Sequence, residues 1–172
     1  AYRVAPGGAR AESREDPMKL VGILPVRTEA WVVGLSARVA LLWCDELVIL
    51  NHASTDNTLD ILSDVVMEHP DRVTIVGDDN PDWTEMRHRQ ALLELARCKD
   101  GPAATHIAII DCDELLTANL LPTIKTYADV YGATCLQLPG YNLRDGINRF
   151  HSNGIWGNRW FSEVFADDPR LH

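Results

Sequence analysis

The chain alternates short apolar runs with longer segments whose apolar residues recur at helical spacing, and this alternation restricts the folds open to it. The predicted strands are 19–25, 46–50, 72–76 and 105–110, and the predicted helices between them are 28–42, 58–67 and 82–98. Beyond them, a helix is predicted at 119–131 and strands at 133–138 and 155–165. Strands that alternate with helices form a parallel sheet with right-handed crossovers. We therefore expect an α/β, Rossmann-like fold with a mostly parallel central sheet flanked by helices.

Polar side chains follow each of the first four predicted strands, at the edge where parallel sheets bind their ligands. They are Arg27 and Glu29, then residues 51–56, then Asp78 and Asp79, then residues 111–114. The last group, the acidic turn (111–114), contains three carboxylates directly after an apolar run. In an extended chain Asp111 and Asp113 point to one side and Cys112 to the other, so two like charges stand close together.

Two interpretations of the acidic turn remain open from the residues alone. Carboxylate oxygens are ligands that suit Mg²⁺ or Mn²⁺, and such a cation would relieve the repulsion between Asp111 and Asp113. Alternatively, the acids cap the following segment or are solvated in a loop. The wider sequence context has to decide between a metal site and a solvated turn.

Composition and missing motifs exclude several classes of function. A formal net charge of -9 argues against a nucleic-acid-binding surface. No apolar run reaches the roughly 18 residues of a membrane span. Residues 1–17 are rich in Ala, Gly, Arg and Glu, which predicts a flexible lead-in. The four cysteines lack close spacing and are interpreted as reduced thiols. Reduced thiols indicate a cytoplasmic protein, either unattached or associated with the inner face of a membrane. Without a glycine-rich phosphate loop, a nucleotide diphosphate would need a metal to bridge it to Asp113.

Several of these segments, in this order, resemble the motifs of family 2 glycosyltransferases. Residues 50–58, Leu-Asn-His-Ala-Ser-Thr-Asp-Asn-Thr, are similar to a loop of that family, and Asp-Cys-Asp at 111–113 is similar to its Asp-x-Asp motif. Val-Arg-Thr-Glu at 26–29 resembles its Arg-Asn-Glu, and 87–90 falls where the family carries an Arg-Asn pair. The resemblance covers 19–116 and implies a GT-A fold, a nucleotide-diphospho-sugar donor, Mn²⁺ or Mg²⁺ as cofactor, and inverting transfer to an acceptor hydroxyl.

The resemblance also implies roles for individual residues. Asp113 would ligate the metal that bridges the donor diphosphate, Asp111 would contact the donor ribose or the metal through water, and Asn51 would read the base. The other implied donor contacts are Pro25, Arg27, Glu29, Ser54, Asp56, Arg87 and Cys112. From the residues themselves, Asp56 is explained as well by a carboxylate at a helix N-terminus, and the two arginines by pairing with the surplus acids.

A catalytic base for inverting transfer would lie beyond residue 116, and the candidates are Glu163, Asp167 and Asp168. Glu163 is preferred because it lies in the predicted strand 155–165, whereas the two aspartates precede Pro169 in a predicted loop. The alternative to an enzyme is a non-catalytic sugar-nucleotide-binding module, which needs no base.

We expect a single domain over 18–172, with a nucleotide-sugar-binding half (18–116) and a partial acceptor half (117–172). The acceptor would be a glycan, a lipid or a small molecule. Aromatic residues of the second half either stack on an acceptor sugar or pack in the core. They are Tyr141, Trp156, Trp160 and Phe161.

Overall fold

The computed structural model describes residues 3–4, 18–98, 104–130, 135–143, 145–146, 148–151 and 159–167. Its strands are β1 (Arg3–Val4), β2 (Leu20–Val26), β3 (Glu46–His52), β4 (Val73–Asp78), β5 (His106–Ile109), β6 (Cys135–Gly140) and β7 (Arg159–Ala166). Its helices are α1 (Val33–Ala40), α2 (Thr58–Glu68), α3 (Glu85–Cys98) and α4 (Ile124–Val130). Every predicted strand and helix is present, although α1 and α4 each begin five residues later than the sequence pattern indicates. The α/β class is confirmed.

One sheet contains all seven strands, in the order β1-β6-β7-β5-β2-β3-β4. The four neighbours β5, β2, β3 and β4 run parallel, as the alternation predicts. Strands β7, β6 and β1 extend this sheet with antiparallel pairings. Strand β1 is the only described part of the predicted lead-in 1–17, so a flexible lead-in remains a prediction.

The two faces of the sheet carry separate apolar clusters. Residues Leu47 and Ile49 of β3 pack into the cluster that includes α1, α2 and α4, whereas Val48 and Leu50 pack under α3. Side chains alternate along a strand. The next residues of β3 therefore diverge: Asn51 faces the α2 side, and His52 faces α3.

Helix α1 buries its small residues together with Val33, whereas two large apolar side chains in and just before the helix are exposed. Trp31, just before the helix, is 77% exposed, and Leu35 is 56% exposed. The buried positions include Gly34 and Ala37. A Cβ on Gly34 would lie 2.9 Å from Ile61 Cγ2 of α2, so the close approach of the two helices selects the small-residue face.

Two further expectations can be compared with the described residues. All four cysteines are free thiols, and burial raises the pKa of the Cys44 thiol. Within the described part of the chain, no helix combines the length and the apolar character needed to cross a bilayer.

Gly22 allows β2 to pack closely against the core, and its replacement should destabilise the fold. A Cβ at this position would lie 2.9 Å from Leu47 Cδ1 and 3.1 Å from Cys44 Sγ. We expect Gly22→Ala to lower the free energy of unfolding by about 1–3 kcal/mol in urea denaturation, as overpacking of a core does. Gly77→Ala is the matched control, because a Cβ at Gly77 meets nothing within 4 Å. Equal unfolding midpoints for the two variants would contradict this account of the core.

Candidate functional site

Hydrogen bonds tie the loop after β2 to the loop after β3 and the start of α2 at the carboxyl edge of the sheet. The backbone N–H groups of Thr28, Glu29 and Ala30 donate to Ser54 Oγ (2.9 Å), Thr58 Oγ1 (2.8 Å) and Asp56 Oδ2 (3.1 Å), respectively. Thr28 has a φ of 56°, a left-handed conformation that is uncommon for a non-glycine residue. The structure thus gives Ser54 and Asp56, both predicted donor contacts, a role in holding the two loops together.

Asp56 is also bonded within its own loop. Its Oδ1 accepts hydrogen bonds from the Thr58 hydroxyl (2.5 Å) and from the Thr58 backbone N–H (3.1 Å). The Thr58 hydroxyl is the main cause that holds the pKa of Asp56 below its ordinary value, and the N–H of Ala30 adds to it. The carboxylate form of Asp56 therefore stabilises both loops.

A cavity of about 350 Å³, the rim cavity, lies at the same edge of the sheet. Six of its lining residues were predicted as donor contacts: Pro25, Arg27, Glu29, Asp111, Cys112 and Asp113. Its other lining residues are Trp83, Glu85 and Arg89, which precede or belong to α3. The rim cavity thus combines guanidinium groups, carboxylates and one indole ring.

Arg89 connects α3 to the acidic turn. Its Nη2 donates to Asp111 Oδ1 at 2.8 Å, and its Nε donates to Glu85 Oε1 at 3.0 Å. The Nη1 atom of Arg89 is buried and has no hydrogen-bond partner among the described residues. Since a buried donor without a partner is costly, an anion in the rim cavity would stabilise this group.

The sequence motifs pointed to Arg87 rather than Arg89, although helix periodicity could have identified Arg89. Helix α3 buries Leu92 and Ala96 against the sheet, and Arg89 lies three residues before Leu92, one turn nearer the carboxyl edge. Arg87 instead bonds to Asp78 and is absent from the lining of the rim cavity.

The acidic turn has the chemistry of a site for a hard divalent cation. Asp113 is exposed, whereas Cys112 is mostly buried in the core cluster that includes α1, α2 and α4. Partial burial and the charges of Asp111 and Asp113 raise the pKa of Glu114, and burial raises the pKa of Cys112 to about 12. Oxygen ligands in a negative potential fit Mg²⁺ or Mn²⁺.

The acidic turn alone does not form a complete metal site. Within the described residues, no group of three His, Cys, Asp or Glu side chains could hold a metal ion. Arg89 already engages one oxygen of Asp111. A cation bound at this turn would therefore complete its coordination with ligand oxygens and water.

Asn51 lies apart from the rim cavity. It lines a second cavity of about 630 Å³, the α2 cavity, together with Leu59 and Met67 of α2 and Ile75 and Gly77 of β4. Its Oδ1 atom is buried without a hydrogen-bond partner among the described residues. The structure therefore does not bring Asn51 together with Asp111 and Asp113.

The candidate bases lie in different places. Asp167 forms an ion pair with Arg97 at 2.6 Å, and its N–H donates to the carbonyl of Thr105 at the amino end of β5, opposite the acidic turn. Glu163 belongs to β7, in which Val164 pairs with Ala108, so Glu163 is one residue nearer the carboxyl edge. The side chain of Glu163 and all of Asp168 lie outside the described residues.

The predicted acceptor aromatics are described only in part. Tyr141 follows β6 at the same edge as the acidic turn, because β6 and β5 both run antiparallel to β7. It is 60% exposed, and its ring packs edge to face against that of Phe150, with 5.2 Å between the ring centroids. Trp156 and the side chains of Trp160 and Phe161 lie outside the described residues.

Comparison with solved structures finds the same architecture in glycosyltransferases. Residues 1–349 of S. aureus TarS match with a TM-score of 0.62 and 13% identity, over 87% of this chain and 47% of TarS. The Pyrobaculum calidifontis mannosyltransferase PcManGT, in complex with GDP-Man and Mn²⁺, matches with a TM-score of 0.54 and 21% identity, over 75% of this chain and 36% of its own. This chain has the GT-A fold.

A second structure of TarS, this one with a bound sugar nucleotide, also matches the fold of this chain. TarS in complex with UDP-GlcNAc gives a TM-score of 0.56 and 15% identity, over 69% of this chain and 33% of TarS. The GT-A chain described here thus spans between 33% and 47% of the length of these structures. Its sequence matches no protein-family model and no curated protein sequence.

Asp56→Ala should loosen the two tied loops and lower the urea midpoint at pH 7. The pKa of Asp56 is lowered in the folded state, so its contribution is present above the ordinary carboxyl pKa of about 3.9. This contribution is lost as the pH falls through the lowered pKa. Wild type and variant should therefore converge in acid, whereas Asp64→Ala, on the exposed face of α2, should match the wild type throughout. A difference that persists in strong acid would show that Asp56 acts in another way.

Proposed function

We propose that this chain binds a nucleotide-diphospho-sugar in the rim cavity together with Mn²⁺ or Mg²⁺ and transfers the sugar to an acceptor hydroxyl. The observation that carries this proposal is the pairing of opposite charges in one cavity. The guanidinium groups of Arg27 and Arg89 line the same space as the carboxylates of Asp111 and Asp113. A diphosphate with a divalent cation satisfies both sets of groups at once.

The fold supports the proposal. PcManGT is in complex with GDP-Man and Mn²⁺, and TarS is in complex with UDP-GlcNAc, both at TM-scores above 0.5. In parallel sheets ligands bind outside the carboxyl ends of the strands, where the rim cavity lies.

The residues of the rim cavity would bind different parts of the donor and its metal. Asp113, exposed at the cavity, would be the principal carboxylate on the metal, and Asp111 would remain oriented by Arg89. The bound metal would supply positive charge that stabilises the departing nucleoside diphosphate. Arg27 and the unpartnered Nη1 of Arg89 would donate to phosphate oxygens.

Glu163 is the proposed general base. It would accept the proton of the acceptor hydroxyl as that oxygen bonds to the anomeric carbon and the nucleoside diphosphate leaves, which inverts the anomeric configuration. Asp167 is less suited to this role, because its ion pair with Arg97 lies at the amino end of β5.

Asp113→Ala should remove the dependence of nucleotide binding on metal. We expect wild-type protein to bind UDP or GDP at least tenfold more tightly with MnCl₂ than with EDTA in calorimetry, a difference of about 1.4 kcal/mol. Asp113→Ala should bind the nucleotide in MnCl₂ only as weakly as the wild type binds it in EDTA, and EDTA should not weaken its binding further. Asp64→Ala should behave as the wild type. Equal wild-type affinity in EDTA and in Mn²⁺ would rule out the metal role.

Glu163→Gln should retain donor binding and lose sugar transfer. The amide cannot accept the proton, and loss of general-base catalysis costs typically 10²–10⁴-fold in rate. Calorimetry with a UDP- or GDP-sugar and a transfer assay on the same preparation separate the two effects. Asp167→Asn is the matched control, which should keep transfer. Wild-type turnover by Glu163→Gln would move the base elsewhere, and a wild type that binds donor without transfer would be a binding module.

A further inference from the structure

Trp83 stands between the rim cavity and two buried histidines. Its ring centroid lies 5.1 Å from that of His52 and 4.6 Å from that of His88, and the two histidines are 4.5 Å apart. His52 is 0% and His88 is 1% exposed, whereas Trp83 remains 44% exposed. The histidines therefore support the indole from below and leave part of it open to the cavity.

Hydrogen bonds fix both histidines beneath the indole. The Nε2 atom of His52 bonds the Asn80 carbonyl at 2.5 Å, and since a carbonyl can only accept, His52 carries a proton on Nε2. The Nε2 atom of His88 lies 3.2 Å from Asp78 Oδ2. Each ring is thus oriented by a partner in β4 or in the loop that follows it.

The segment that carries Trp83 is also held from neighbouring elements. Asp78 accepts a hydrogen bond from the Asn80 N–H at 3.0 Å and one from Arg87 of α3. Arg27, from the loop after β2, donates to the Pro81 carbonyl at 3.3 Å. These contacts hold the backbone that leads into Trp83 next to Arg27, one of the guanidinium groups of the rim cavity.

The rim cavity therefore offers three kinds of group side by side. Trp83 provides an aromatic surface, Arg27 and Arg89 provide cations, and Asp113 provides a carboxylate. A nucleoside diphosphate with a divalent cation has three complementary parts, namely a planar base, two phosphates and a metal. Aromatic contacts with the two histidines account for the buried part of the indole, and the 44% of Trp83 that stays exposed is available to a planar ligand group.

We infer that the nucleobase of the bound donor stacks on Trp83, with His52 and His88 as positioning residues that hold the indole. This inference rests on the proposed function and adds to it the residue that contacts the base. Base–aromatic stacking tolerates every base, because each has a π-face. Trp83 therefore supplies affinity for the base rather than selection among bases.

The test compares nucleotides with a ligand that lacks a base. UDP, GDP and inorganic pyrophosphate are titrated by calorimetry in MnCl₂ into wild type, Trp83→Leu and Trp83→Phe. Trp83→Leu should weaken UDP and GDP binding about tenfold and leave pyrophosphate binding unchanged, as expected for loss of one stacking contact. Trp83→Phe should restore most of the affinity, because it keeps an aromatic face.

Further variants separate stacking from general loss of structure. Phe150→Leu removes an exposed aromatic residue outside the lining of the rim cavity and should bind all three ligands as the wild type does. His88→Ala should lower the ratio of UDP to pyrophosphate affinity, and His88→Phe, which keeps a ring beneath the indole, should preserve that ratio. Thermal unfolding of each variant confirms that it is folded.

The outcomes distinguish this inference from the proposed function. Equal loss of UDP and pyrophosphate binding in Trp83→Leu, or no loss of either, would overturn stacking on Trp83 while the donor site stands. If wild-type protein binds none of the three ligands in Mn²⁺, the proposed function fails and the stacking role falls with it.

Discussion

The acidic turn carries more negative charge than the described residues around it neutralise, and the candidate site is organised around that excess. Asp111 is paired with Arg89 at 2.8 Å, whereas Asp113 and Glu114 form no ion pair within the described part of the chain. Partial burial, together with the charges of the two aspartates, raises the pKa of Glu114. A cation that arrives with a polyphosphate ligand would relieve the excess charge and would also give the buried Nη1 of Arg89 an acceptor.

Backbone topology determines which side chains share that edge. Parallel pairing of β5, β2, β3 and β4 brings their carboxyl ends together. The loop that carries Glu29 is held by its own backbone N–H groups, which donate to side-chain oxygens of Ser54, Asp56 and Thr58. Helix α3 begins near the same edge, and its first turns place Arg89 in the lining of the rim cavity. The rim cavity therefore depends on several elements that are far apart in the sequence, and the core around Gly22 keeps two of them, β2 and β3, in close contact.

Local patterns predicted the sheet and the acidic turn, because both depend on short-range periodicity. Asp111 and Asp113 both line the rim cavity, but Cys112 lines it too, because residues 112–113 form a turn rather than the extended chain that alternation assumes. The same patterns placed Asp56 at the N-terminus of α2, where its Oδ1 accepts a bond from the Thr58 N–H, but they did not identify its bond to a loop 26 residues earlier. The exposed stripe of Trp31 and Leu35 likewise reflects a tertiary constraint, since α1 approaches α2 through Gly34. Pairwise contacts between distant segments decide these positions, and a single sequence does not encode them in its spacing.

Paramagnetic broadening of backbone amide signals by Mn²⁺ would test the location of the site most directly. In an ¹⁵N-labelled sample with UDP, the account predicts that substoichiometric Mn²⁺ selectively broadens the amides of the acidic turn, the loop after β2 and the start of α3. Mg²⁺ in place of Mn²⁺ should shift the same signals without broadening them. Broadening centred on another region, or equal broadening across the sheet with UDP present, would contradict a metal-linked nucleotide site at Asp111 and Asp113.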